Sequence, residues 1–397
     1  MAPARSGTKI TASMSLYRLA IIGYGGFGQF LHHAWRGIPE LELVAVSGRR
    51  KSPRIPVDVA YYSDWRKLLE TERLDIVAIA TPPATHVEIA CAALERGIHV
   101  LIEKPLATTL EDARRIAEAA ERTGVRATVD LMMRYNPILS GLREVTREGL
   151  LGKLFRVDVE NYAAGDSLPP EHWFWNWDLS GGILVEHGVH FFDLVHFLSG
   201  KIGVKKVSGA LGRTEGRVDR MAAQVLHNGG LIATHFHAFT RPGFFEETRI
   251  VLACDLATVE LSGWIPMEGR IRALVTAESL ERLRALLPGF HVEEEVPVEA
   301  LRDVSRPEGW GDEWPLPPAP GRRVFSGGRE YEVDVLVRGS FSLPGTKAEI
   351  YAGCLRALME DFLRYIEDPS YVMRVTLDDG VECLRVALDA TRDALRG

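Results

Sequence analysis

Three short constellations in the chain bring together residue types that do chemistry. The first is Tyr17-Arg-Leu-Ala-Ile-Ile-Gly23-Tyr-Gly25-Gly26-Phe27-Gly28, a Gly-x-Gly-x-x-Gly turn directly after an apolar run. In such a turn the first glycine permits the sharp reversal, the second lets the backbone approach a pyrophosphate, and the third lets helix and strand pack closely. The helix N-terminus then faces the anion. Any strand-to-helix turn can use glycines for conformation alone; what favours a dinucleotide is the position of this one, in the first of several β-α units. The second constellation is a pair of strand ends, Thr81-Pro82-Pro83-Ala84-Thr85-His86 and Glu103-Lys104-Pro105, each following an apolar run. Ligands of an open α/β sheet sit beyond the carboxyl ends of its strands, so Lys104 is placed to reach a cofactor and a substrate, although a lysine there is also an ordinary surface charge. The third is Glu186-His187-Gly188-Val189-His190-Phe191-Phe192-Asp193, read as part of a helix opened by Gly181-Gly182. Helical spacing puts Glu186, His190 and Asp193 within about 60° of one another. A histidine flanked by carboxylates is held in one tautomer and exchanges protons near neutral pH; a buried histidine satisfying a structural contact is the plain alternative.

Two further features bear on ligands. Where an acid would bind a ribose 2′-hydroxyl, the second apolar run ends in Ser47-Gly48-Arg49-Arg50. Arg49 and Arg50 suit a 2′-phosphate, which favours NADP over NAD, with solvated surface arginines as the alternative. Trp173, Trp175 and Trp177 offer flat faces to a sugar ring, although their period-two spacing equally fits a half-buried strand. His187 with His190, and His235 with His237, have ligand-like spacing, but nothing else completes a ligand set and no metal is expected.

The elements that must position these residues are legible in outline. Apolar runs at Leu19–Ile22, Leu43–Val46, Ile76–Ala80, His99–Ile102 and Ala127–Leu131 alternate with amphipathic stretches. This is the rhythm of a doubly wound parallel sheet, an α/β Rossmann domain at 17–134. After Asn136-Pro137 the order becomes helix, strand, helix, and then several strand-like runs between Val204 and Leu261. That predicts a second, α+β domain at 135–397 built on a mainly antiparallel sheet. The Pro/Gly-rich stretch Arg306–Arg323 cannot sustain a helix or central strand and reads as an exposed loop or lid. Two amphipathic helices, Lys347–Glu367 and Leu377–Leu395, close the chain, and residues 1–16 read as a flexible extension.

At 397 residues the chain has room for two cores. With 46% hydrophobic and 25% charged residues it is an ordinary globular sequence. Its net charge of -7 gives no broad cationic field, which disfavours nucleic acid and anionic membrane surfaces as partners. It has four cysteines; none forms a C-x-x-C pair, and neither a membrane span nor a secretory signal is evident. The expected compartment is the reducing cytoplasm.

The ordered set of Gly23 to Gly28, Thr81-Pro82 with His86, Glu103-Lys104-Pro105, Arg134-Tyr135-Asn136-Pro137, and Gly181-Gly182 leading to His190 and Asp193 resembles the glucose-fructose oxidoreductase and inositol dehydrogenase family, Gfo/Idh/MocA. The resemblance implies that Gly23, Gly25, Gly26, Phe27, Gly28, Thr81, Pro82, His86, Glu103 and Lys104 surround NAD(P). It also implies that Lys104 contacts the nicotinamide ribose and the substrate hydroxyl, and that His190 exchanges the proton; Glu186 is read as assisting, by repositioning a substrate hydroxyl or by orienting His190. Arg134, Tyr135, Trp177 and Asp193 are then the expected substrate contacts. Many relatives carry Asp four residues before the histidine, where this chain has Glu186. The implied activity is hydride transfer between NAD(P) and a secondary alcohol or ketone of a sugar, cyclitol or related polyol, in a homodimer or homotetramer joined through the open face of the second sheet. The alternatives are a noncatalytic NAD(P)-binding regulator and an enzyme that uses transient redox for epimerisation, elimination or glycoside cleavage.

Overall fold

The computed structural model describes residues 16–301 and 321–396. A parallel sheet of six strands contains β1 (Tyr17–Ile22), β2 (Leu41–Ser47), β3 (Ala60–Tyr62), β4 (Ile76–Ile79), β5 (His99–Ile102) and β6 (Ala127–Val129), in the order β3-β2-β1-β4-β5-β6. Helices α1 (Gly26–Trp35), α2 (Trp65–Thr71), α3 (His86–Leu94) and α4 (Leu110–Thr123) lie between the strands in sequence. All of β4 is buried, and its Ile-Val-Ala-Ile run is what a strand covered on both faces requires. The short, half-buried β3 has no such run, which is why apolar patterning passes over it. Strand order reverses between β1 and β4, so a crevice opens at their carboxyl ends.

A second sheet has nine strands in the order β14-β17-β13-β12-β11-β7-β10-β9-β8. They are β7 (Leu154–Ala164), β8 (Val204–Thr214), β9 (Arg217–His227), β10 (Ile232–Arg241), β11 (Glu247–Cys254), β12 (Ala257–Ser262), β13 (Glu268–Val275), β14 (His291–Pro297) and β17 (Val335–Ser342); β15 (Arg323–Ser326) and β16 (Arg329–Glu332) form a separate hairpin. β7 and β10 pair parallel, whereas the other pairs in this sheet are antiparallel. Along β10, buried Ala233, His235 and His237 alternate with the partly exposed Thr234 and Phe236. One face is thus packed and the other open.

Helices α5 (Pro137–Glu148), α6 (Trp177–Ser180), α7 (Val189–Leu198) and α8 (Ala277–Leu286) belong with the second sheet. The expected Gly-Gly opening of the α7 segment is not what forms. Gly181 and Gly182 adopt left-handed backbone at φ +79° and +90°, and Gly182 lies under the Trp177 ring, where a Cβ would sit 2.9 Å from Cε2. The helical path then starts with a π turn, Leu184–Gly188, before α7.

The closing helices α9 (Lys347–Glu367) and α10 (Leu377–Ala394) return to the first sheet. Trp35 Nε1 donates to the Leu355 carbonyl at 3.0 Å, and Thr128 Oγ1 to that of Val375 at 3.1 Å. α10 also packs on α7 and β8. A division at residue 134 follows the chain, while the packing makes these helices common to both sheets. The stretch 306–323 lies outside the described residues except for its last three, of which Arg323 opens the hairpin; the extension 1–16 lies outside except for Leu16. Among the described residues no helix is long and apolar enough to cross a membrane.

Candidate active site

Between the sheets lies a cleft of about 380 Å³. Phe27 of the glycine turn, Thr81 after β4 and Lys104 after β5 line it from one side, and Glu186, His187 and His190 from the other.

The glycine turn divides its labour as the spacing requires. Gly23 has φ +102°, and a Cβ there would stand 2.4 Å from the Ala80 carbonyl oxygen; a Cβ on Gly28 would stand 2.3 Å from that of Gly23. These two glycines make the turn and the close packing. A Cβ on Gly25 or Gly26 would meet nothing within 4 Å, so that side of the turn is open. The first N–H groups of α1 have no acceptor within the helix, and its first turn holds no acidic residue. An open backbone edge of unengaged donors with no opposing negative charge fits a pyrophosphate. Arg49 and Arg50 are exposed just beyond β2.

Lys104 reaches across the cleft. Its Nζ donates to Glu186 Oε1 at 2.7 Å and to the Glu186 carbonyl oxygen at 2.9 Å, with both side chains mostly buried. Glu186 lies inside the π turn, where the i→i+5 pattern replaces the regular α-helical ladder. His86 Nδ1 and Nε2 each lie 2.9 Å from a backbone carbonyl oxygen, of Pro105 and of Thr81, so one buried ring ties together the loops after β4 and β5. His190 is 4% exposed, and its Nδ1 is buried without a partner among the described residues. Burial, then the nearby Lys104 charge, holds its pKa well below 6.5. A neutral imidazole beside a lysine–carboxylate pair is equipped to take a proton from a bound hydroxyl.

Residues 17–131 match the family described as oxidoreductase family, NAD-binding Rossmann fold (GFO_IDH_MocA), and residues 140–260 match the GFO/IDH/MocA C-terminal domain. The chain belongs to the Gfo/Idh/MocA family. It is similar to the rhizopine catabolism protein MocA of Rhizobium meliloti, at 33% identity over 47% of this chain and 59% of that protein. It is also similar to the D-apiose dehydrogenase of Paraburkholderia graminis, at 29% identity over 48% of this chain and 52% of that one. The matches thus span little more than half the length of these relatives. In fold it resembles levoglucosan dehydrogenase, solved in complex with NADH and L-sorbose, with a TM-score of 0.70 and 16% identity over 96% of this chain and 98% of that one.

In this Gfo/Idh/MocA chain several residues expected at the ligand stand elsewhere. Arg134 is 1% exposed, its guanidinium engaged by Asp193 and Asp379, so neither it nor Asp193 is free to meet a substrate. Asp193 sits one helical turn beyond His190, too deep for the cleft. Tyr135 is buried with its hydroxyl donating to Asp361 at 2.6 Å. The Trp177 ring is taken up by Gly182, and Trp173 is the tryptophan of that trio that lines the cleft. Fully buried His86 contacts backbone rather than open space, and Pro83, not Pro82, lines the cleft. Glu103 does line it, and burial, reinforced by the adjacent Asp130, pushes its carboxyl well above the usual range. Sequence reasoning missed Asn161, Trp264 and Tyr351, which come from β7, the segment after β12 and α9. No motif marks any of them.

The buried histidines set the acid stability of this family member. Burial lowers the pKa of His86 to about 4 and of His187 to about 3, and holds those of His190, His235 and His237 well below 6.5. Each ring is neutral in the fold and takes up a proton on unfolding below about pH 6.5. Stability is therefore fully present above that pH and declines as pH falls toward the depressed values, by about 1.4 kcal/mol per pH unit for each ring. Glu103 and Asp130, whose pKa values are raised by burial, act in the opposite sense above the ordinary carboxylate range, but they are fewer. The thermal midpoint is expected to fall steeply from pH 6.5 to pH 5 in scanning calorimetry. A flat profile over that interval would contradict the neutral buried rings.

Proposed function

We propose that the protein transfers a hydride between NADP or NAD and a secondary alcohol or ketone of a sugar, cyclitol or related polyol. The observation that carries this reading is the convergence of Lys104, Glu186 and His190 on one cleft that also holds the edge of the glycine turn. Bound NAD(P), held by Gly23 to Gly28 with Thr81 and Glu103 nearby, supplies the nicotinamide that exchanges the hydride. Lys104 Nζ hydrogen-bonds the substrate oxygen and favours its negative charge as the carbinol proton leaves. His190 accepts that proton because it is neutral at working pH. Glu186 orients Lys104 through the 2.7 Å contact, and its longer arm does so from the position where many relatives carry Asp. The surrounding walls, Trp264 and Tyr351 among them, keep bulk water from the reacting carbon. The relatives' names, a D-apiose dehydrogenase and a levoglucosan dehydrogenase, support a sugar-like substrate.

Arg49 and Arg50 favour NADP. In a thermal-shift assay NADP should raise the unfolding midpoint more than NAD at equal concentration, because each ligand stabilises in proportion to its binding to the folded state, and R49A/R50A should erase the difference. Equal shifts in the wild type would remove the preference. A panel of polyols and keto-sugars with either cofactor, followed at the reduced-nicotinamide absorbance, tests the activity; binding of cofactor with no turnover on any member would favour a regulator instead. The same reading takes the open face of the second sheet as the surface that joins copies into a dimer or tetramer. It carries a hollow of about 730 Å³ lined by Asp158, Glu160, Phe236 and Arg249 among others.

A further inference from the structure

A second histidine faces the cleft in an arrangement that fixes its proton. His187 Nε2 lies 3.0 Å from Asn161 Oδ1, and Asn161 Nδ2 donates to Thr248 Oγ1 at 2.7 Å. Asn161 and Thr248 are both buried, on the neighbouring strands β7 and β11. A side-chain amide has one donating and one accepting end. With the NH2 engaged by Thr248, its oxygen meets a ring N–H, which places the His187 proton on Nε2. The Nδ1 lone pair is left over. No described residue donates to it, and unlike Nδ1 of His190 it is not sealed in the interior.

The surroundings keep this ring neutral and in place. Phe239 and Phe191 lie 5.2 and 5.6 Å from it, and the buried His237 lies at 5.6 Å, all as ring-centre separations. Burial first and the Lys104 charge second bring its pKa down to about 3. The ring is therefore neutral, with one accepting nitrogen, near neutral pH. The two ring centres stand 6.3 Å apart. Two hydroxyls on neighbouring carbons, each hydrogen-bonded to a nitrogen of one ring, can bridge a span of that size.

We propose that His187 Nδ1 is a fixed acceptor for a second substrate hydroxyl, on the carbon next to the one oxidised, so that the cleft selects vicinal diols. This rests on the hydride-transfer reading above and specifies its substrate class. An acceptor without a proton repels a carbonyl or ether oxygen at that position and rewards only a donor. A site built around one hydrogen-bond partner rejects analogues that lack it more strongly than an apolar pocket rejects a methyl group. Asn161 and Thr248 are positioning residues, acting through the ring.

The test uses the full chain with 15N-labelled histidine, bound to NADH, together with three probes: cis-cyclohexane-1,2-diol, cis-2-methoxycyclohexanol and cyclohexanol. The 15N shifts of His187, assigned by their loss in H187F, should report a protonated Nε2 and a bare Nδ1, and the Nδ1 signal should move with the diol but not with the methyl ether. In turnover with the oxidised cofactor, the kcat/KM preference for the diol over the ether should drop at least about tenfold in H187F. Thr248→Val should raise KM for the diol far more than it changes kcat. A proton on Nδ1, or an unchanged diol preference in H187F, overturns the inference while leaving hydride transfer standing. If the diol shifts neither nitrogen of His187, this inference falls alone; if, in addition, no member of the polyol and keto-sugar panel is turned over with either cofactor, the hydride-transfer reading falls with it.

Discussion

Lys104→Met is expected to lower kcat/KM for polyol oxidation by roughly a thousandfold, the scale on which loss of a single oxyanion-stabilising donor acts. The side chain keeps its apolar stem and loses the ammonium that reaches Glu186 Oε1 at 2.7 Å. Two effects follow. The developing negative charge on the substrate oxygen loses its only lysine among the cleft-lining residues, and Glu186 is left as an uncompensated carboxylate near the hydride path. His190→Ala should cost about a hundred- to ten-thousandfold, the usual range for a positioned general base. If the two residues act on one proton transfer, the double variant will be little worse than the weaker single one, because groups working as a unit are not additive. The measurement is initial rate at the reduced-nicotinamide absorbance, with a thermal shift on adding cofactor to verify that each variant still folds and binds. Near-wild-type turnover in both single variants would remove these residues from the mechanism.

The largest effect on stability is expected at Arg134. Its Nε lies 3.1 and 3.0 Å from the two oxygens of Asp193, its Nη2 lies 2.6 Å from Asp193 Oδ1, and its Nη1 donates to Asp379 Oδ2 and to the Arg374 carbonyl oxygen, both at 2.9 Å. All three side chains of this network are at most 2% exposed. It joins the end of the first sheet to α7 and α10, so one guanidinium holds together three elements that carry or brace the site. Asp379 keeps other partners when Arg134 is removed: Lys201 Nζ at 2.7 Å, His196 Nε2 at 3.5 Å and the Thr376 N–H at 2.9 Å. Among the described residues Asp193 has none of comparable strength. R134M is therefore expected to destabilise by about 3–5 kcal/mol, the cost of leaving one member of a buried pair alone. R134M/D193L should recover most of that loss, since well-packed apolar groups can replace a buried pair at little net cost. Chemical denaturation followed by tryptophan fluorescence reads both variants. Equal destabilisation in the single and double variants would mean that packing rather than the orphaned carboxylate sets the cost. An Arg134 that contacted substrate instead would show its effect in KM with stability intact.

How far the sequence reaches differs from residue to residue. Gly23 and Gly28 were legible because the demands on them are local: a positive φ and a close approach are properties of a few consecutive residues, and the spacing states them. The places of Lys104 after β5 and His190 at the start of α7 were legible for a related reason, since each lies at a fixed offset from a strand or helix end. The parallel sheet was likewise written in its buried apolar runs, of which β4 is the plainest. Arg134 and Asp193 were misread because a charged residue in a motif looks the same whether it faces a ligand or another charge. Only the packing of α7 and α10, which bring up Asp193 and Asp379 from 59 and 245 residues beyond Arg134 in sequence, decides between the two. Asn161, Trp264 and Tyr351 left no mark at all, because each is an ordinary residue of a strand, a loop or a helix until a distant element brings it to the cleft.

The sequence by itself determined the glycine turn, the strand ends that bear Thr81 and Lys104, and the helix that bears His190, since periodicity and turn chemistry act over a few neighbouring residues. Tertiary structure decided which side of each charged group meets the cleft. It turned Glu186 toward Lys104 through a π turn, withdrew Asp193 to Arg134, and fixed the His187 ring against Asn161. The physical reason is that burial and pairing are settled between elements far apart in the chain, and no local pattern encodes the partner.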